Sequence, residues 1–387
     1  MTDINTLFPA GYEESRVRFR QNLERVQRRW PNARLNQHRL AGDEDLTIDW
    51  LQADPLERSE RLLLFTTGEH GIETYVGSAM LQLFIDEYLD RLEPKTTGLL
   101  LVHAINPWGM KHNRRVNRQN IDLNRTFIES TGAEPAAAAG QKPFDPAYNP
   151  DYGKLMFLLN PTGPLRPLFL ADPIFVLKLL WGILQVGPMR LMTASTVGQY
   201  AVPRGIYYGG AGVPEETRVL MELYRQGFRQ YAQVAHLDMH TVYGPRYQMS
   251  VVTSEIEARP SAELQKQFAY PLVVKANAAE FYSIRGDMID YVYTLWRREF
   301  PERRLFSATL EFGTLGDAVF NHYHDLRTMV FENQVRQSGA SAAAQAQIER
   351  DFEEMFFPSA ADWREKAVAD MRQATEGILR TEGLIAG

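Results

Sequence analysis

The apolar positions along the chain fall into two periods. "RLLLFTT" (residues 61–67) and "GLLLVHAIN" (98–106) are short, nearly unbroken apolar runs, the pattern of strands covered on both faces. Between them "ETYVGSAMLQLFIDEYLDRL" (73–92) repeats its apolar residues at helical spacing, and Pro107 and Gly109 close the second run. Strand, helix and strand in this order predict a βαβ unit with a parallel sheet. Residues 11–30 carry Tyr12, Val17, Phe19, Leu23 and Val26 at roughly helical spacing, and "DLTIDWL" (45–51) alternates like a strand. Helical periodicity returns at 214–234. "VAHLDMHTVYG" (234–244) and "LFSATLEFGT" (305–314) predict two further core strands, each ending in polar residues.

Residues 128–200 interrupt this rhythm. "GAEPAAAAGQKPFDP" is rich in Ala, Pro and Gly and predicts a loop. The most apolar stretch, "PIFVLKLLWGILQVGP" (173–188), is bounded by prolines and contains Lys178 and Gln185. It is shorter than the roughly 20 apolar residues of a spanning helix, so it predicts a helix packed on the protein and no transmembrane segment. Residues 341–384 are Ala-, Glu- and Arg-rich and helical. With no internal repeat and no clear linker, the chain reads as one catalytic domain over 1–340, an insertion at about 128–200, and a C-terminal helical cap at 341–387.

Composition narrows the chemistry. The chain has 387 residues, 44% hydrophobic and 23% charged, as in ordinary globular proteins. Its net charge of −6 gives no footprint for nucleic acid or an anionic membrane. The absence of cysteine excludes disulfides, thiolate nucleophiles and cysteine metal sites, so any metal falls to His and carboxylates. "MTDINTLFPAGYEESRVRF" has no basic start followed by an apolar core, so no signal peptide is expected and the location reads as cytoplasmic.

Three predicted strand ends carry polar residues: His70 with Glu73, His240 with Asp238, and Glu311. In open α/β sheets, ligands bind beyond the carboxyl ends of the strands. Two imidazoles and a carboxylate make a three-ligand catalytic zinc site with one position left for water, and a further carboxylate can take a proton from that water. His-x-x-Glu alone also arises as a structural pair. The segment "NPWGMKHNRRVNRQNIDLNRTF" (106–127) adds Asn and Arg residues densely after a strand. It is either a solvated basic loop or a source of fixed guanidinium groups for carboxylate or carbonyl recognition. No His-Glu-x-x-His helix and no Gly-x-Ser-x-Gly elbow occurs, and "GGAG" (209–212) lacks the Lys-Ser/Thr of a phosphate loop. "NHYHD" (321–325) places two His on diverging sides of a helix, His103 reads as a core histidine, and His38, His112 and His236 have no partner signal.

In order, the chain contains "HGIE", "NPWG", "RRVNRQNIDLNR", "LDMHT" and "TLEFGT". These resemble the ordered motifs of zinc metallocarboxypeptidases of the carboxypeptidase A type, over about residues 10–335. The similarity is closest to a bacterial branch known only as a domain of unknown function, whose "GQY..P.G..YGG" is matched by "GQYAVPRGIYYGG" (198–210). Thr74 and Thr126 depart from that branch, which has Gly and Asn there. The resemblance implies a three-layer α/β/α domain with a mixed, largely parallel sheet and one Zn2+ per chain on His70, Glu73 and His240. It implies Asp122 orienting His70, Arg115 (with Arg114 competing) polarising the scissile carbonyl, Asn124 and Arg125 gripping a substrate carboxylate, and Glu311 as general base. The substrate-covering tyrosine of many such enzymes has candidates in Tyr282, Tyr291 and Tyr293, each more simply a packing aromatic. The function expected is zinc-dependent hydrolysis of an amide (peptide) bond beside a free carboxylate, on a peptide or small-molecule substrate. The alternatives are an N-acyl amino acid deacylase resembling succinylglutamate desuccinylase/aspartoacylase, and a non-catalytic binding protein.

Overall fold

A computed structural model describes residues 4–129, 142–276, 284–316 and 319–386. Most of the Ala- and Pro-rich stretch expected as a loop, at 130–141, lies outside the described residues, as does Tyr282. Eight strands form one sheet: β1 (Arg34–Arg39), β2 (Thr47–Ala53), β3 (Arg61–Thr67), β4 (Thr97–His103), β5 (Gln233–Val242), β6 (Met249–Ser254), β7 (Val273–Ala276) and β8 (Arg304–Gly313). Their spatial order is β1-β2-β4-β3-β5-β8-β6-β7. The centre, β4-β3-β5-β8, is parallel, whereas β1, β2 and β6 pair antiparallel at the flanks. The helices are α1 (Tyr12–Gln27), α2 (Thr74–Glu87), α3 (Pro107–Lys111), α4 (Pro150–Lys154), α5 (Met156–Leu159), α6 (Leu168–Val186), α7 (Pro188–Ala194), α8 (Glu215–Phe228), α9 (Ser261–Phe268), α10 (Met288–Glu299), α11 (Val319–Ser338), α12 (Ala342–Phe356) and α13 (Ala361–Thr381).

Alternation along β3 explains the layers. Leu63 and Phe65 pack with α1, α2, α9 and α13 on one face, and Leu62 and Leu64 with α8 and α10 on the other. Both faces are covered, so the strand reads as an unbroken apolar run. This is the expected three-layer α/β/α fold. A third core lies over part of the molecule, where α4–α7 from the expected insertion join α11 and α12. The segment expected as a C-terminal cap is therefore divided: α12 completes that third core, and α13 supplies Trp363, Val368 and Met371 to the main one. The polar strand β1 and the short β6 and β7, absent from the sequence reading, complete the sheet.

The chain passes from β3 to β4 on one side and returns to β5 on the other, which makes the carboxyl ends of β3 and β5 the topological switch point. In the parallel register His240 of β5 lies opposite Glu311 of β8, and Thr66 of β3 opposite Asp238.

Packing around α13 gives a test. A Cβ on Gly377 would lie 1.8 Å from the Phe268 carbonyl oxygen, whereas one on Gly153 in α4 meets nothing within 4 Å. Gly377→Ala is expected to destabilise the fold by about 1–3 kcal/mol, and Gly153→Ala to be neutral or stabilising by up to about 1 kcal/mol. Urea unfolding of the two variants reads both signs.

Candidate metal centre

His70 follows β3 and opens a short 3-10 turn, Gly71–Glu73, that leads into α2. This turn is pinned from below. A Cβ on Gly71 would lie 2.2 Å from the Gly109 carbonyl carbon, so "HGIE" and "NPWG" meet backbone to backbone. The Asn106 side chain accepts from Gly109 N at 2.8 Å and donates to Arg115 O at 3.2 Å. Gly71 N and Ile72 N donate to the Arg115 and Arg114 carbonyls at 3.1 and 2.9 Å. The Arg- and Asn-rich segment is thus folded inward, with Arg115, Asn117, Asp122, Asn124 and Arg125 buried.

Three donor atoms converge at the switch point. His70 Nδ1 lies 2.9 Å from Glu73 Oε1 and 3.2 Å from His240 Nδ1, and His240 Nδ1 lies 3.3 Å from Glu73 Oε2. Four-coordinate zinc, with bonds of about 2.0–2.2 Å, spaces its N and O ligands roughly 3.3–3.6 Å apart, so the triangle is close to the size a metal needs. The far nitrogens are both engaged. His70 Nε2 meets Asp122 Oδ1 at 3.1 Å and His240 Nε2 meets Asp238 Oδ2 at 2.5 Å. With both Nε2–H groups donated to carboxylates, both Nδ1 lone pairs point at the shared centre, the arrangement that outer partners impose on ligating histidines.

A second grouping, Glu69 with His70 and His240, brings one atom of each within 4.8 Å. Glu69 Oε2 stands 3.2 Å from His240 Nε2, the nitrogen turned away from Glu73. We favour the Glu73 set because Asp238 already occupies that Nε2.

Each remaining group has a defined place. Glu73 Oε2 accepts from Thr241 N at 2.9 Å and Glu311 Oε1 from Tyr243 N at 3.0 Å. Between these donors Val242 has φ +107°, a strained value for a β-branched residue that aims the flanking amides at two carboxylates. Arg115, not Arg114, reaches the centre. Its Nη1 donates to Glu73 Oε1 at 3.2 Å and its Nε to Asp122 Oδ2 at 3.3 Å, while Arg114 pairs with Glu332 at 2.7 Å. Asp122 also accepts from Asn124 N at 3.2 Å, and Asn124 Oδ1 accepts from Met288 N at 3.0 Å.

Arg125 is 1% exposed and donates through Nη1 and Nη2 to the carbonyls of Asn124 and Thr196, at 2.8 and 2.9 Å. Three glycines make room for it: Cβ atoms on Gly198, Gly209 and Gly286 would meet Arg125 at 2.7, 2.9 and 2.5 Å. That cradle accounts for two glycines of "GQYAVPRGIYYGG", Gly198 and Gly209. In this arrangement the Arg125 guanidinium is not presented to the cavity of about 40 Å³ lined by Asn124, His240, Ser254, Asp287 and Glu311.

Glu69, Thr66, His236 and Tyr207 join the site without having been singled out. The Thr66 hydroxyl donates to Asp238 Oδ1 at 2.6 Å and meets His236 Nε2 at 2.9 Å, and His236 Nδ1 meets Ser307 Oγ at 2.9 Å. The alternation His236, Asp238, His240 on one buried strand was the available signal. Tyr207, at φ +54°, lies under Arg115 and Arg125, 5.5 and 5.7 Å from its ring. Tyr291 packs against Phe127, and the Tyr293 hydroxyl donates to Glu257 at 2.8 Å, so both are packing aromatics. His103 is the expected core histidine, bonded to Ser15 and lowered to about 3, by burial first. His38 and His112, which gave no partner signal, pair with Glu215 and Glu44.

Charge is unbalanced. Glu69, Glu73, Asp122, Asp238 and Glu311 are buried around two buried guanidinium groups, Arg115 and Arg125. Burial would raise Glu73 and Asp122, but the neighbouring imidazoles and guanidiniums hold both low. Burial pushes Glu311 and Glu69 from 4.5 up to about 7, against the pull of His240. A carboxyl raised in the folded chain holds its proton more tightly there than in the unfolded chain. From pH 4.5 to about 7 folding therefore takes up protons, and the stability these two groups contribute at low pH is lost as pH rises through about 7. In chelator-treated protein, wild-type Tm is expected to fall relative to a Glu69→Gln/Glu311→Gln variant between about pH 5 and 8. Parallel Tm curves would contradict these two raised carboxyls.

The sequence profile of one family, described as "Protein of unknown function (DUF2817)", matches residues 8–370. No curated protein matches the chain. Among solved structures, carboxypeptidase A of Helicoverpa armigera is similar at 13% identity over 89% of this chain and 73% of its own, with a TM-score of 0.45. Bovine thrombin-activatable fibrinolysis inhibitor, solved with tick carboxypeptidase inhibitor, is similar at 12% identity over 87% of this chain and 94% of its own, with a TM-score of 0.43. A protein of Shewanella frigidimarina NCIMB 400, provisionally described as a succinylglutamate desuccinylase/aspartoacylase, gives 14%, 79%, 72% and 0.39. Since the profile spans nearly the whole sequence, the chain belongs to the DUF2817 family.

Proposed function

We propose that this chain is a zinc-dependent hydrolase of amide bonds, with carboxypeptidase-like chemistry. The observation that carries the reading is the convergence of His70 Nδ1, Glu73 and His240 Nδ1 at the sheet's switch point, with Glu311 on the adjacent strand. His70, Glu73 and His240 would hold a zinc ion there, which would supply a Lewis acid for the scissile carbonyl and lower the pKa of a water. Glu311, raised by burial toward neutrality and lining the cavity, takes the proton of the attacking water and returns it to the leaving amine. Arg115 donates through Nε and Nη1 to Asp122 and Glu73, and on this reading its charge, held beside the triad, stabilises the developing oxyanion from behind the Glu73 carboxylate. Asp122 and Asp238 hold the two imidazoles with their lone pairs forward.

The role implied for Arg125 changes on this reading. Its donors serve two carbonyls, so it acts as a strut for the Asp122–Asn124 turn instead of an open carboxylate clamp. The cavity beside Glu311 is lined by carboxylates, Asp287 and Asp290, and by no arginine or lysine among the described residues. Selection for a free carboxylate next to the cut bond is therefore not assigned to Arg125.

Protein purified without chelator is expected to carry one zinc per chain and to hydrolyse peptides or N-acyl amino acids, the comparison of which names the substrate class. Glu311→Gln should retain the metal and lose roughly 10²–10⁴-fold in kcat. Wild-type turnover in that variant, or no hydrolysis by zinc-loaded protein on either class, would overturn the reading.

Arg125→Lys should cost about 2 kcal/mol or more in stability through its lost backbone bonds. It should leave the ratio of rates on free-acid and amidated substrates unchanged. A selective loss on the free acid would restore Arg125 as the carboxylate clamp.

A further inference from the structure

The helix expected to pack on the protein does so on one side only. α6 is 19 residues long with a mean hydropathy of 1.7, and only about a fifth of it is buried. Phe169, Leu177, Leu184 and Met189 are 75%, 67%, 77% and 68% exposed. Among the described residues, nine of the eleven large hydrophobic residues left exposed fall between Phe169 and Met192. On α6 they recur at 169/170, 176/177, 180/181 and 184, one continuous helical face with Trp181 in it. A concentrated apolar patch of this kind marks an interaction surface.

The opposite side of α6 is fixed along its length. Asp172 pairs with Arg327 at 2.6 Å, and Phe175 meets Tyr323 and Phe331 edge-on. A Cβ on Gly182 would meet Leu191 at 2.9 Å and Leu155 at 3.1 Å. The helix is therefore held flat against the body, with its apolar face outward. Beside it a cavity of about 630 Å³, walled by Met156, Leu165, Phe175 and Phe331, carries Arg166 and Lys178 and no carboxylate. Neither cation has an ion pair among the described residues, and Lys178 is lowered by burial and then by Arg166. The only carboxylates between residues 150 and 196, Asp151 and Asp172, are already paired with Lys154, Arg190 and Arg327.

We infer that the α6–α7 face is a docking surface for an anionic lipid bilayer. The apolar stripe enters the acyl boundary, Trp181 sits at the interface, and Arg166 and Lys178 meet the headgroups. A second copy of the chain fits less well. A two-fold contact lays this face on itself, bringing its unpaired cations toward their own copies with no free carboxylate to receive them. The chain's overall charge of −6 hides this local excess, because the acids lie elsewhere.

The test is flotation of the full chain with vesicles of phosphatidylcholine, alone or with roughly a third phosphatidylglycerol, alongside light scattering of the free protein. Wild type is expected to be monomeric and to float with the anionic vesicles at least about tenfold more than with the neutral ones. Leu177→Glu/Leu184→Glu, at exposed positions, should lower vesicle binding at least about tenfold with an unchanged melting curve. Arg166→Glu/Lys178→Glu should abolish the preference for anionic vesicles. Wild type that stays with the aqueous fraction, or an apolar-face variant that floats as wild type does, overturns the proposal. So does a wild-type dimer that Leu177→Glu/Leu184→Glu converts to monomers, which would assign the face to a second copy.

Discussion

Two imidazole nitrogens and a carboxylate point at one another in the interior, and the rest of the site is arranged around that convergence. Like groups so close are tolerated only when something positive stands among them, whether protons or a metal. Five buried carboxylates face two buried guanidinium groups, so the neighbourhood lacks positive charge. A divalent cation answers that deficit. Without it, protons on Glu69, Glu311 and the imidazoles are the remaining way to reduce the charge.

The fold serves this centre through its backbone. Parallel strands β3, β5 and β8 end side by side, which brings His70, His240 and Glu311 together from distant parts of the sequence. Gly71 against Gly109 fixes the turn that carries His70 and Glu73. The strained Val242 costs about 1–3 kcal/mol, and it directs the Thr241 and Tyr243 amides to Glu73 and to Glu311. Gly198, Gly209 and Gly286 enclose Arg125, whose charge then balances Asp122 from behind. Rigid strand ends and one strained residue together hold the centre in a single geometry.

Much of this was legible in the sequence. The central strands read clearly because both of their faces are apolar, and His70, Glu73, His240 and Glu311 stood at or just beyond their ends, whereas Asp122 was marked only by the family resemblance. The edge strands did not. β1, "RLNQHR", is half in solvent and has no apolar alternation, and β7 has four residues. The fate of Arg125 was also hidden, because a motif gives an arginine's position and not whether its donors are taken by nearby carbonyls. Glu69 stood directly before His70, but nothing in its position showed that both its oxygens would be buried. Nor could periodicity show that α6 would be covered on one side only, since a helix apolar all round looks the same whether buried or bare.

His240 presents two nitrogens to two different sets of carboxylates, and the account stands on which of them holds the metal. Anomalous diffraction at and below the zinc absorption edge, from crystals of protein purified without chelator, locates the ion directly. The account predicts one anomalous peak within bonding distance of His70 Nδ1, Glu73 and His240 Nδ1. A peak on the Nε2 side, between His240, Glu69 and Asp238, or no zinc peak at all, would contradict it.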